Sequence, residues 1–275
     1  MRFHIHTDPV RRFQVGLLLL ISITIGFSRE SDQGTVSTIK ATISLKDLPL
    51  GEEVKSSGKK LINQPFGFIR ISDGDTLTDS TIVVAVHGYA SRGYEWVYPL
   101  HRLVAAYGTV YFYRYDWELC PAEAAKQLAV RLNALISALP ETGKVVILSH
   151  SYGGIVATIA MQWLRVPRSL EVHTIAAPLA GYPGLTDRCG LDSAALRRMY
   201  VMPDGNIHHY QWRTRKEQDK AFRKLPADPQ VVVIPNSKVF RLPATMDGHR
   251  LGHNWSVSWV TDEYRRLFLP SSSGK

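Results

Sequence analysis

From Thr81 onward the chain alternates β-branched runs with helical patterns, and this alternation restricts the possible folds more than any other feature of the sequence. Residues 81–86 read as a strand before a helical pattern over 96–106. Residues 109–115 read as a strand before a long amphipathic stretch over 122–139, where Leu128, Leu132, Leu135 and Leu139 recur at helical spacing. Residues 144–148 form a third strand pattern, followed by an apolar helix over 155–164. Further strands are expected at 172–176, 207–212 and 230–234, a short helix at 192–200, and a last helix at 256–268. Strand–helix–strand units pair their strands in parallel through right-handed crossovers. The expected fold is therefore α/β, a mostly parallel sheet with helices on both faces, spanning residues 81–270. Residues 29–80 alternate short apolar stretches with Gly, Ser and Asp clusters and predict edge strands and turns, with strands near 39–45 and 66–71. The irregular stretch 179–205, with Gly181, Pro183, Gly184 and Gly190, is a candidate lid.

A length of 275 residues suffices for a large core, and 45% hydrophobic with 21% charged residues excludes a disordered chain. Two cysteines, Cys120 and Cys189, are too few for a disulfide scaffold or a four-cysteine zinc site. Arg11 and Arg12 precede an apolar run over residues 13–27, and small Gly26 lies two residues before Ser28. A basic head and an apolar run shorter than the roughly 20 residues of a spanning helix predict an export signal over residues 1–28, with an uncleaved N-terminal anchor as the alternative. The expected destination is secreted or periplasmic. Thirty-three Lys and Arg against 24 Asp and Glu give a formal charge of +9, which suits association with an anionic membrane surface. An exported chain has no nucleic acid to bind, and the basic stretch from Arg213 to Lys224 is interrupted by Glu217 and Asp219.

The sharpest local signal is Ser149-His150-Ser151-Tyr152-Gly153-Gly154, set between a buried-type strand and an apolar helix. A serine hydroxyl is a weak nucleophile at neutral pH and needs a base. A tight strand-to-helix turn lifts it above the sheet edge, where free backbone N–H groups of the helix start face the reacting carbonyl. Small neighbours are required, and Gly153 supplies one. Ser149 stands where the usual G-x-S-x-G turn has its first glycine. Together with Ala85-Val86-His87-Gly88-Tyr89 and Thr174-Ile175-Ala176-Ala177-Pro178, this turn resembles the α/β-hydrolase superfamily, in its serine lipase and esterase branch. The resemblance covers roughly residues 80–268 and is strongest over 81–178.

The resemblance implies oxyanion donors at the backbone N–H groups of Tyr152 and Tyr89, and a chain order of nucleophile, acid, then a late histidine. It makes Ser151 the nucleophile. His253, directly before the last helix, is the expected base, with His249 as the alternative. Asp219, after the strand at 207–212, is the expected acid, better situated than Asp204 or Asp228. Such chemistry calls for no cofactor and no metal. Tyr94 and Trp96, in the aromatic-rich stretch after the oxyanion motif, are candidate substrate-binding residues, with helix packing as the other reading. Cys120 and Cys189 both fall where the active-site side of the sheet is expected, and whether they pair stays open. The expected activity is hydrolysis of carboxylic esters, with a small-molecule ester or lipid as substrate. The rivals are a thioesterase or glycosylphosphatidylinositol deacylase-like hydrolase, and a lipid-binding protein that keeps the fold without the chemistry.

Overall fold

Runs of β-branched and aromatic residues build one eight-stranded sheet from β1 (Ile39–Ser44), β2 (Gly67–Ser72), β3 (Thr81–Val86), β4 (Thr109–Arg114), β5 (Lys144–His150), β6 (Ser169–Ile175), β7 (Ile207–Arg213) and β8 (Lys238–Arg241). The computed structural model describes residues 38–74, 81–139, 143–165, 169–201 and 205–269; the expected export or anchor segment lies outside them, as does Asp204. The strand order is β1-β2-β4-β3-β5-β6-β7-β8. From β4 to β8 all neighbours are parallel, while β2 meets β4 antiparallel and carries β1 parallel to itself. The mixed, mostly parallel sheet expected from the alternation is therefore present.

Helices cover both faces because the central strands are apolar on both. In β3, Ile82, Val84 and Val86 pack into the layer formed with α3 (Pro121–Ala138) and α4 (Tyr152–Ala160). Val83 and Ala85 point the other way, into the layer of α2 (Tyr94–Tyr107) and α7 (Trp255–Phe268). This is the period-two alternation of a strand buried on both sides. Leu128, Leu132 and Leu135 of α3 are fully or almost fully buried, and each such side chain contributes about 1.5–3 kcal/mol by leaving water.

Two local expectations are corrected. The stretch at 29–80 contains a helix, α1 (Val54–Ile62), as well as its strands. Its serines and glycine, which read as a turn, serve close packing instead: a side chain at Gly58 would lie 2.3 Å from the Tyr94 backbone nitrogen at the start of α2. Residues 230–234 do not form a strand, although Gln230, Val232 and Ile234 are buried and Val231 and Val233 exposed, as in a strand. Pro229 and Pro235 flank the segment, and its polar groups are met outside the ladder. The Arg213 guanidinium donates to the Val232 carbonyl at 2.7 Å, and the Gln230 side chain accepts from the Thr214 N–H at 2.9 Å. The edge of the sheet is β8 instead. The candidate lid over 179–205 holds two short helices, α5 (Pro183–Cys189) and α6 (Ser193–Met199), and Leu179, Leu185, Leu196 and Tyr200 from it are buried in the core.

The interior holds several neutral imidazoles. His209 sits between the Thr158 hydroxyl at 3.1 Å and the Ser237 hydroxyl at 2.8 Å. Burial pushes His209 and His87 down to about 3 from an ordinary 6.5. The unfolded chain then binds more protons between those values, so stability is present above about pH 6.5 and is lost as pH falls toward 3. We expect the urea midpoint to be clearly lower at pH 4.5 than at pH 7.5, and His209→Gln to narrow that difference. Equal midpoints for the unaltered protein at the two pH values would refute this.

Candidate active site

The carboxyl ends of β3, β5, β6 and β7 open on one edge of the sheet, and the expected residues collect there. Strand β5 runs into α4 through Ser151, whose backbone has φ 53° and ψ −123°. A non-glycine residue at positive φ in this region stores roughly 1–3 kcal/mol of strain. The surroundings hold it: the Ser151 N–H continues the ladder to the Ile175 carbonyl at 2.9 Å, and its own carbonyl accepts from the Gly154 N–H at 2.9 Å. A Cβ at Gly153 would meet the His87 carbonyl oxygen at 2.4 Å, and one at Gly154 would meet the Ala177 side chain at 2.5 Å. Both glycines are therefore required by the approach of neighbouring chain. Ser149 needs no glycine: its backbone is ordinary strand, and its buried hydroxyl donates to the His173 carbonyl at 3.0 Å.

Asp219 is wholly buried in a turn after β7. One carboxylate oxygen accepts from the Ala221 N–H at 2.9 Å, and the other from the Thr214 hydroxyl at 2.7 Å. The second oxygen also accepts from Nδ1 of His253 at 3.0 Å. Phe222 closes edge-on against the His253 ring, 5.0 Å between centroids. His253 precedes α7, and its carbonyl is held by the Ser256 hydroxyl at 2.5 Å and by Nε2–H of His150 at 3.1 Å. A carbonyl can only accept, so the proton on His150 is at Nε2. Burial, reinforced by nearby His253, holds His150 far below the usual histidine range and hence neutral. His249 lies elsewhere, in a hairpin of β9 (Thr245–Met246) and β10 (His249–Arg250), stacked on Trp255 at 5.0 Å. Asp228 instead accepts from Gln230.

Ser151 and His253 line one pocket of about 410 Å³, walled largely by Tyr89, Pro178, Tyr182, Leu185 and Phe222. Among the described residues no hydrogen bond joins the Ser151 hydroxyl to His253. Tyr152 is the first residue of α4, so its N–H is one of the unpaired donors of a helix start. The peptide that carries the Tyr89 N–H is pinned from the opposite side. His87 is buried and neutral, and its Nδ1–H donates to the Gly88 carbonyl at 2.9 Å while Nε2 accepts from Arg114 at 3.1 Å. A planar trans peptide with its carbonyl fixed has its N–H fixed as well. Gly88 lies so close to the nucleophile turn that a Cβ there would be 2.9 Å from that of Ser151.

Of the two aromatic candidates, Trp96 is corrected: it is fully buried beneath the sheet beside Phe112 and touches no pocket named above. It lies one turn into α2, on the face that turns toward the core. Tyr94 stands at the rim of a second, smaller chamber beside Ser151, with its hydroxyl accepting from Asn254 at 2.9 Å. Tyr182, Leu185 and Arg188, which the sequence offers only as part of the candidate lid, line the larger pocket from α5 and the residue before it. Their signal was present in Cys189. Cys120 and Cys189 form a disulfide with Cα atoms 5.7 Å apart, tying α5 to the start of α3. Arg188 adds an ion pair to Glu118 at 2.8 Å and lies over the Tyr89 ring at 5.1 Å. Among the described residues no group of three or more His, Cys, Asp or Glu side chains is arranged to hold a metal ion, and no helix is long and apolar enough to cross a membrane.

Residues 83–269 match the alpha/beta hydrolase family. The chain belongs to that family. Many solved structures are similar to this alpha/beta hydrolase at low identity. An esterase of Pyrococcus furiosus is 11% identical, with 76% of this chain and 91% of that one covered and a TM-score of 0.47. The lipase BlEst2 of Bacillus licheniformis is 12% identical, covering 72% of this chain and 96% of its own, at 0.47. Est1E of Butyrivibrio proteoclasticus, solved with ferulic acid, is 10% identical, covering 74% and 94%, at 0.49. Among curated proteins no match to this hydrolase is found.

Because the Gly153 site is closed by backbone rather than by a movable side chain, we expect Gly153→Ala to cost about 1–3 kcal/mol as overpacking. Thermal unfolding of the purified variant should show a midpoint several degrees lower, and an unchanged midpoint would contradict the geometry.

Proposed function

We propose that this alpha/beta hydrolase cleaves carboxylic esters with an apolar acyl portion through a covalent acyl-enzyme on Ser151. The observation that supports this most is the pairing of His253 with a buried carboxylate on one side while its ring opens, with Ser151, onto an apolar pocket on the other.

Asp219 accepts the proton-bearing Nδ1 of His253, which leaves the Nε2 lone pair as the base. As the Ser151 oxygen attacks the carbonyl carbon, its proton passes to that lone pair. The carbonyl oxygen gains negative charge and is met by the N–H groups of Tyr152 and Tyr89. The tetrahedral species collapses when the carbon–oxygen bond to the alcohol breaks and His253 returns the proton to the departing oxygen. Water, deprotonated by the same imidazole, then attacks the acyl-enzyme and releases the carboxylic acid with Ser151 restored. The apolar wall of Pro178, Leu185 and Phe222 suits an acyl chain, which gains about 25 cal/mol for each Å² removed from water.

The same reading takes residues 1–28 as an export signal, with a retained anchor as the alternative. The Cys120–Cys189 bridge supports an oxidising compartment.

A fluorophosphonate probe should label Ser151 rapidly, with labelling lost in Ser151→Ala and in His253→Ala but kept in His249→Ala. Asp219→Asn should lower kcat on a p-nitrophenyl ester by roughly 10⁴. A folded protein that leaves the probe unreacted would favour a lipid-binding role without chemistry, and a strong preference for an acyl thioester over its oxygen ester would make the enzyme a thioesterase.

A further inference from the structure

The chamber on the far side of Ser151 differs in character from the apolar pocket. It shares Tyr89, Ser151 and His253 with that pocket, but its remaining wall is largely polar: Ser91, Arg92, Tyr94, Glu95 and Asn254. Its volume is about 130 Å³, space for roughly four water-sized groups at about 30 Å³ each. A group of three carbons with hydroxyls fits that space.

Glu95 is the unusual residue in this wall. It is a buried carboxyl in the first turn of α2, bonded to the Ser91 hydroxyl, which itself accepts from the Gly93 N–H at 3.1 Å. Burial pushes its carboxyl above the usual carboxylate range, while the Ser91 hydroxyl and His253 act in the opposite direction. No ion pair joins Glu95 to a cationic side chain among the described residues. In either protonation state it presents an acceptor oxygen. Ser91 and the backbone N–H of Glu95 itself each supply a hydrogen bond to a group that can accept up to four. A buried carboxyl with unused accepting capacity is costly to retain unless a donor reaches it.

We propose that this chamber is the subsite for the alcohol portion of the substrate and that Glu95 selects an uncharged alcohol carrying further hydroxyl groups, of glycerol size. The inference rests on the ester-hydrolase reading. His253 lines both cavities, so an alcohol held in the polar chamber lies next to the imidazole that must protonate its oxygen. The division of the ester follows from solvation. An apolar acyl chain is favoured in the larger pocket, whereas a hydroxylated group there would lose water without replacing its hydrogen bonds. Arg92 at the chamber wall disfavours a cationic alcohol.

The test compares three octanoate esters, those of 1-propanol, glycerol and choline, each rate divided by the alkaline hydrolysis rate of the same ester. All three pass through the same acyl-enzyme, so differences in kcat/KM report the alcohol alone. The glycerol ester should exceed the propyl ester by about tenfold or more. Glu95→Leu should bring that ratio close to one, and Glu95→Gln, which keeps an acceptor oxygen, should retain part of it. Should Glu95→Leu fail to fold, Ser91→Ala serves as the second variant and should also lower the ratio. Equal rates in the unaltered protein, a ratio untouched by the variants, or preference for the choline ester would each overturn the proposal. Fluorophosphonate labelling of Ser151 separates the failures: a labelled enzyme without alcohol preference removes this subsite only, while an unlabelled serine removes the ester-hydrolase reading and this inference with it.

Discussion

The backbone of Ser151 is the constraint from which the rest of this structure follows. A serine at φ 53° is held there by hydrogen bonds to β6 and from α4, and the strain in turn demands that nothing crowd the turn. Gly88, Gly153 and Gly154 answer that demand from three directions, against Ser151, His87 and Ala177 respectively. The result is a hydroxyl carried on a rigid edge rather than on a loop, so the residues around it can be positioned to within a hydrogen bond. Strain concentrated at one residue and supported by a well-packed sheet is a common arrangement for a reacting group.

Histidine is used in this fold in two different ways. His87, His150, His173 and His209 are buried and all pushed below the ordinary range by loss of solvent. They act as neutral rings with one donor and one acceptor, stacking on aromatic neighbours such as Tyr115 and Tyr210. His87 fixes the Gly88 carbonyl, and His150 fixes the carbonyl of His253. Among the described residues, His253 alone combines a carboxylate partner with access to the pocket. Neutral rings beneath the site add no positive charge next to the His253 imidazole; on the ester-hydrolase reading, that imidazole takes up a proton.

The fold was legible in the sequence wherever local pattern and tertiary role agree. The strands and helices from Thr81 to Ile175 follow their periodicity closely, because strands buried on both faces and helices with one apolar face leave strong signals. The misses have a shared physical cause. In α1, Gly58 serves contact with α2 rather than a turn, and the alternation at 230–234 reflects burial without strand pairing. Among the candidate site residues, Ser151, Asp219 and His253 stood out because a turn, a strand end and a helix start mark them. Trp96 was ambiguous because an aromatic residue after an active-site loop reads alike whether it faces substrate or core. Glu95 carried no local signal at all, since a carboxyl in the first turn of a helix is ordinary and only its burial beside Ser91 is not.

The disulfide between Cys120 and Cys189 gives the larger pocket an asymmetric frame. One wall, at Tyr182 to Arg188, is stitched covalently to the start of α3, whereas the opposite wall, Ala221 and Phe222, hangs from the turn that also carries Asp219. Any widening at that opposite wall would therefore shift the carboxylate hydrogen-bonded to His253. On the ester-hydrolase reading, bulk at the substrate and alignment of the proton relay are thereby joined.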